Sequence, residues 1–170
     1  MNEVAVNGKM KAHYHVECIG PDGKSKWVEE MDNIIPNVGL DEILDKVWKG
    51  SGYTAAHYVG LTDGTPTVAA GDTMSSHAGW SEVVAYSESV RQTLTLGTVS
   101  SQSVDNSASK ASFSINADST TIGGAFIPTS STKSGTSGIL MSVAAFSGGD
   151  KSADNGDTLN VTVTLTAASA

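Results

Sequence analysis

His13 and His15 are the first residues of this chain whose type and spacing could do chemistry. Two imidazoles at i and i+2 on a β-strand point to one face, where an H-x-H pair can share a metal ion. In a trimer, three such pairs could meet at the axis and build a six-nitrogen site. The plain alternative is two exposed histidines on a hairpin. His57 and His77 are separated by a long loop, and neither has a second ligand at metal spacing. Cys18, the single cysteine, falls on the same strand as the pair but has no base placed beside it by sequence. It reads as a small core residue rather than a nucleophile.

The other candidates are weaker. Asp150, Asp154, Asn155 and Asp157 bunch oxygen ligands that could hold Ca²⁺, but they depart from the alternating D-x-D-x-D-G loop and lack its closing Glu, so a polar turn is the expectation. Serines are abundant, yet there is no G-x-S-x-G elbow and no strand–turn–helix context for one. Gly60 to Gly64 and the pair Gly123-Gly124 precede no helix, so phosphate binding is not supported. Gly123-Gly124 instead suggests a bulge or a close approach of backbones. Residues 92–170 contain no His, Cys, Glu, Arg, Trp or Tyr, and their ionisable groups are five Asp and three Lys. General acid–base or nucleophilic catalysis needs converging titratable groups, so any catalytic site would lie in residues 1–91. The expectation is no enzyme, no catalytic residue and no cofactor, with His13 and His15 the metal candidates.

The elements that must position these residues are mostly strands. KMKAHYHVECIG (9–20) alternates, with Tyr14, Val16 and Cys18 on one face and His13, His15 and Glu17 on the other. Pro21-Asp22-Gly23-Lys24 is a turn with a mechanism, and residues 25–35 return as a second strand. A two-stranded hairpin is marginal alone in water, so it must pack on its own domain or on a neighbouring subunit. Leu40, Ile43, Leu44, Val47 and Trp48 then follow the spacing of one helix face, with Asn37 as N-cap and Gly50 and Gly52 as the stop. That helix is expected to cover a sheet. Ala56 to Leu61 reads as a short buried strand. Residues 62–79 form a long unpatterned connection of the kind used for function or for contacts with another chain. From Trp80 onward WSEVVAYS, VRQTLTLGTV, KASFSINA, TTIGGAFIP, SGILMSVAAFS and DTLNVTVTLTAA read as strands. The last is the clearest, with Leu159, Val161, Val163 and Leu165 inward. The fold expected is mainly β, an antiparallel β-sandwich (jelly-roll or immunoglobulin-like) with one short α-helix and an N-terminal β-hairpin. It is read as a single domain over 1–170, divided into arm and hairpin 1–35, helix 37–49, and sandwich 55–170 with its long loop 62–79.

The totals limit partners. A net charge of −8, with Arg91 the only arginine, argues against nucleic acid, whose phosphates need clustered Lys and Arg. No apolar run approaches the length needed to span a bilayer, and the N-terminus lacks the pattern of a signal peptide. The expectation is therefore a protein made in a cytoplasm with no membrane contact.

Four stretches carry a resemblance. Asn33-Ile-Ile-Pro-Asn-Val-Gly-Leu-Asp-Glu-Ile-Leu is followed by Tyr58-Val-Gly-Leu-Thr-Asp-Gly-Thr and by Ala-Gly-Asp72-Thr. The chain then closes on Gly156-Asp157-Thr158-Leu159-Asn160-Val161-Thr162-Val163-Thr164-Leu165. Together, over residues 33–168, these resemble a family of tailed-bacteriophage virion structural proteins, with Pro36 where that family often has Thr. The resemblance implies a non-enzymatic virion component, first of all a capsid decoration or cement protein on the capsid surface. Its implied partners are the major capsid protein and further copies of itself, as a dimer or trimer. A tail- or fibre-associated protein is the alternative, and there the His13–His15 pair would matter more. A carbohydrate-binding module using Trp27, Trp80, Tyr53 or Tyr58 as stacking platforms is a third. Residues 1–35 and the 62–79 loop are expected to make most intersubunit and shell contacts.

Overall fold

The computed structural model describes residues 9–53 and 55–168. The alternation around the histidine pair produces β1 (Lys9–Ile19), with Tyr14, Val16 and Cys18 fully buried and His13, His15 and Glu17 on the outer face. Gly20 donates its N–H to the Lys24 carbonyl at 2.8 Å and Gly23 takes a φ of 76°, so the turn falls where Pro21 and Gly23 put it. β2 (Ser25–Asp32) then pairs back on β1, with a register shift at Cys18/Ile19.

The support this hairpin needs comes from its own domain. The last strand, β11 (Thr158–Ala168), runs antiparallel along all of β1, from Lys9↔Ala168 to Ile19↔Thr158. β1 is therefore an interior strand and not part of a detached arm. Of the N-terminal contact region expected from sequence, residues 1–8 lie outside the described residues, and 9–32 are built into the sheet.

Further along the chain come β3 (Tyr58–Thr62), β4 (Gln92–Thr93), β5 (Ser103–Asp105) and β6 (Ala111–Ser114). β7 (Thr120–Ile122), β8 (Gly124–Pro128), β9 (Leu140–Ala145) and β10 (Lys151–Ala153) complete the set. One sheet has the order β2-β1-β11-β5, with β6 also on β11; the other has the order β4-β3-β8-β9; β7 and β10 form a small ribbon. All pairings are antiparallel, and the fold is of the β-sandwich class. Tyr14, Val16, Phe113, Leu159, Val161 and Val163 from the first sheet pack against Val59, Leu61, Ala125 and Ile127 from the second. The Tyr14 hydroxyl donates to Ser142 Oγ, and Asn33 Nδ2 donates to the same oxygen at 2.8 Å, so the buried hydroxyls of Tyr14 and Ser142 both have partners.

Three expectations need correction. TTIGGAFIP is not one strand: it breaks at Gly123 into β7 and β8, which belong to different sheets. Gly123 is where backbones cross, since a Cβ there would stand 1.9 Å from the Gly64 carbonyl carbon. WSEVVAYS and VRQTLTLGTV yield only the two-residue β4 and the isolated bridges Thr62↔Glu82 and Tyr86↔Ile115. Val83, Tyr86 and Leu94 are buried, but Val83 and Tyr86 stand three apart instead of two, and the backbone here bonds singly to carbonyls such as Leu61, Ser114 and His57 instead of along a ladder. Finally, the loop 62–79 is no free connection. Met74 and Val68 pack with Trp80 on Phe126, Leu140 and Val143, covering the outer side of β8 and β9. That cover explains why all five residues of β8 are buried.

The helix has the expected bounds but only part of the expected use. It runs as α1 (Asn37–Ile43) and continues as a π-helical turn, Leu44–Trp48, closed by Lys49 N–H to the Leu44 carbonyl at 3.0 Å. Pro36, not Asn37, is the N-cap, and it supplies no side-chain bond; the Asn37 N–H goes instead to the Ala70 carbonyl at 2.8 Å. The helix shares the sheet-covering role with the 62–79 loop: Val38 packs in the same cluster as Met74 and Val68, while the rest of its apolar row faces elsewhere.

Candidate functional site

Leu40, Leu44, Val47 and Trp48 face solvent, at 43%, 56%, 70% and 81% exposure. The cause lies one residue away. Gly39 is buried, and a Cβ on it would stand 3.0 Å from the Met141 carbonyl oxygen, so the helix rests its glycine on β9 at closest backbone approach. Ile43 and Lys46, at i+4 and i+7 from Gly39, are half-buried on the same side. Successive residues are about 100° apart around a helix, so docking by Gly39 turns the Leu40–Leu44–Val47 row away from the sheet. A glycine inside a helical pattern was the sequence signal for this close approach.

Between the helix and the sandwich lies a cleft of about 220 Å³ whose walls include Met10, Ile35, Ile43, Leu94, Met141 and Leu165. Glu42, Lys46, Tyr53 and His57 stand among its polar lining residues. Tyr53 Oη and His57 Nε2 lie 3.3 Å apart, and burial holds the His57 pKa below its usual value. A second groove, on the side of Lys9 and Lys11, is lined by Leu40, Leu44 and Trp48. Met10 and Tyr53, both about half exposed, extend the apolar surface on either side. The arrangement is an exposed apolar row with hollows beside it. It can bury area against a partner.

The histidine pair sits on the opposite kind of surface. His13 spans two carboxylates from β2, Nδ1 to Asp32 Oδ1 at 3.0 Å and Nε2 to Glu30 Oε2 at 2.7 Å, while His15 Nδ1 meets Glu30 Oε1 at 3.1 Å. The cross-strand register His13↔Asp32 and His15↔Glu30 makes these contacts. Hydrogen bonding to Asp32 first and Glu30 second holds the His13 pKa above its usual value. Bonds from His15 and then His13 hold Glu30 below its own. Both nitrogens of His13 face carboxylate oxygens, so the imidazolium, which can donate to both, is the favoured form. A metal would need a lone pair there instead. Among the described residues no group of three or more His, Cys, Asp and Glu side chains is arranged to hold a metal ion.

The remaining candidates are packed or paired. Cys18 is fully buried 3.6 Å from Asp157 Oδ2, and burial with the nearby carboxylate pushes its thiol up to about 12, so it stays a thiol at neutral pH. The acidic 150–157 turn spends its oxygens on protein donors: Asp157 and Asp154 both accept from Lys26 Nζ, at 2.7 and 3.0 Å, and Asp150 from Thr65. Trp80 is buried, with His77 stacked on it at 3.7 Å between centroids, and Trp27 packs edge-on against Phe146. Neither indole offers an open stacking face with a neighbouring platform. Arg91, fully buried, grips Glu82 through two bonds of 2.8 Å and donates to the Ser130 and Gly135 carbonyls; it pins the 82–91 segment to the 130–135 loop.

Sequence reading found the histidines but missed Glu30 and Asp32, which needed the hairpin register. It found the apolar row and misjudged what the row faces. No family model, characterised protein or solved structure matches this chain in comparison.

Proposed function

We propose that this chain is a non-enzymatic structural subunit of a tailed-phage virion, in the first place a capsid decoration or cement protein that lies across joints between major capsid protein subunits. One observation carries the reading: a β-sandwich with a filled core presents four large apolar side chains of one helix to solvent. Large contiguous apolar surface on a folded domain marks a place where another protein docks. The resemblance of residues 33–168 to virion structural proteins names the setting. In that setting many copies each add a contact to the shell, and the assembled state gains stability by mass action.

The test is occupancy. Purified particles of the encoding phage should contain the chain at a copy number comparable to the capsid subunits, read by quantitative gel densitometry. Shells assembled without it should take it up and resist heating better. A copy number far below that of the capsid subunits would move the protein to the tail or fibre. Absence from purified particles would end the virion reading.

A further inference from the structure

We infer that the helix face is covered by a second copy of this chain, the two helices packing antiparallel about a two-fold axis near Leu44. This rests on the proposal that the helix face is an assembly contact, and it names the first occupant. The row Leu40–Leu44–Val47–Trp48 spans nine residues, or about 12 Å of helix from first to last. A two-fold at its centre sets each Leu40 against Val47 and Trp48 of the other copy, so the row is complementary to itself, as an isologous contact requires.

Charge selects the antiparallel arrangement. Asp41 is exposed in the second turn and Lys49, which also pairs with Asp45 of its own chain at 2.9 Å, is exposed just past the last, so the two flank the row. Antiparallel packing brings each Asp41 beside Lys49 of the second copy, twice per dimer, whereas parallel packing would set like against like. Area agrees. The four side chains together with Met10 and Tyr53 are each about half exposed or more, an apolar surface of several hundred Å² per copy, on the order of the ~800 Å² per partner of a standard interface. Closing the pair also shields the mouths of both hollows beside the helix.

Sedimentation velocity and light scattering of the full chain over a wide concentration range test this. The expected mass is that of two chains at high concentration, falling toward one on dilution. Val47→Asp places a charge in the contact and should weaken the dimer by about tenfold or more; Val47 is 70% exposed, so the fold should stand, as circular dichroism would show. Asp41→Lys and Lys49→Asp should each weaken self-association, and mixing these two variants should restore it, because both contacts then pair opposite charges. A monomer at every concentration, a trimer, or a dimer untouched by Val47→Asp overturns the inference. If the chain is monomeric and Val47→Asp abolishes uptake by capsid shells, the shell itself occupies the face, and the functional proposal survives without this one. If the wild-type chain dimerises but shells do not take it up, the dimer stands and the virion role falls.

Discussion

Leu159 and Leu44 are the same residue in two regions with opposite fates. Leu159, on β11, is fully buried between the sheets, while Leu44, on the helix, is 56% exposed. Both sit in apolar rows of correct period for their element. The strand row faces inward because β11 has neighbours on both edges and a second sheet above it. The helix row faces outward because Gly39, one step round the helix, takes the contact with β9. Periodicity identifies a face; what the face meets is decided by the closest-packing residue next to it.

The same contrast holds for charge. Arg91 and Glu82 pair inside the molecule, 1% and 7% exposed at the side chain, whereas His13 and Glu30 pair outside, at 42% and 56%. Inside, removing one partner strands the other, and the carbonyls of Ser130 and Gly135 lose their donor. Arg91→Ala is therefore the largest expected effect, about 3–5 kcal/mol of folding stability by chemical denaturation. A loss below about 1 kcal/mol would mean that water reaches Glu82 readily and that this region is not interior in the sense argued.

Next in size, Leu159→Ala should cost about 2–5 kcal/mol, since a filled core relaxes only partly around a deleted side chain. Its counterpart Leu44→Ala should move stability by no more than about 0.5 kcal/mol when measured on dilute protein. The pair breaks the comparison if the two losses are alike. Equal losses would mean that the helix row is buried in solution even in the single chain, for instance by a rotated helix.

Much of the fold was legible for physical reasons that these residues show. β1, the 21–24 turn and β11 have strict alternation or fixed turn geometry, and each came out where the alternation placed it. Gly123-Gly124 correctly marked a close approach, although not the change of sheet that happens there. Two things were not legible. Strand order and the β1–β11 pairing depend on contacts far apart in sequence, which alternation does not encode. The 62–79 loop buries Met74 and packs Val68 without any periodicity, so its role as a cover left no pattern to read. Of the candidate site, His13 and His15 could be seen but their carboxylate partners could not. The helix row could be seen, with its orientation hidden behind one glycine.

The smallest expected effect lies in the outer ion cluster, and it carries a sign. The folded state favours the charged form of His13, so that contribution is full below the ordinary histidine pKa of about 6.5 and fades as pH rises through the raised value. Glu30 and Asp32 are held low, Asp32 first by its bond to His13, so their contributions are present above ordinary carboxylate values and are lost as pH falls through the depressed ones. The cluster therefore helps most between roughly pH 4.5 and 6.5. Lys11 and Glu17 of β1, flanking the histidines on the same face, add one charge of each sign, while the β11 residues opposite, Thr164 and Thr162, add none. Melting temperatures of wild type and His13→Ala should differ most near pH 5.5 and converge toward pH 8, by about a degree or two. Added salt should shrink the pH 5.5 difference, because both partners are solvent-exposed. The Arg91→Ala deficit, arising from a buried pair, should hardly respond to the same salt. A His13→Ala deficit that is equal at both pH values would show that the imidazole acts by packing, and the inside–outside contrast in charge would then reduce to one of burial alone.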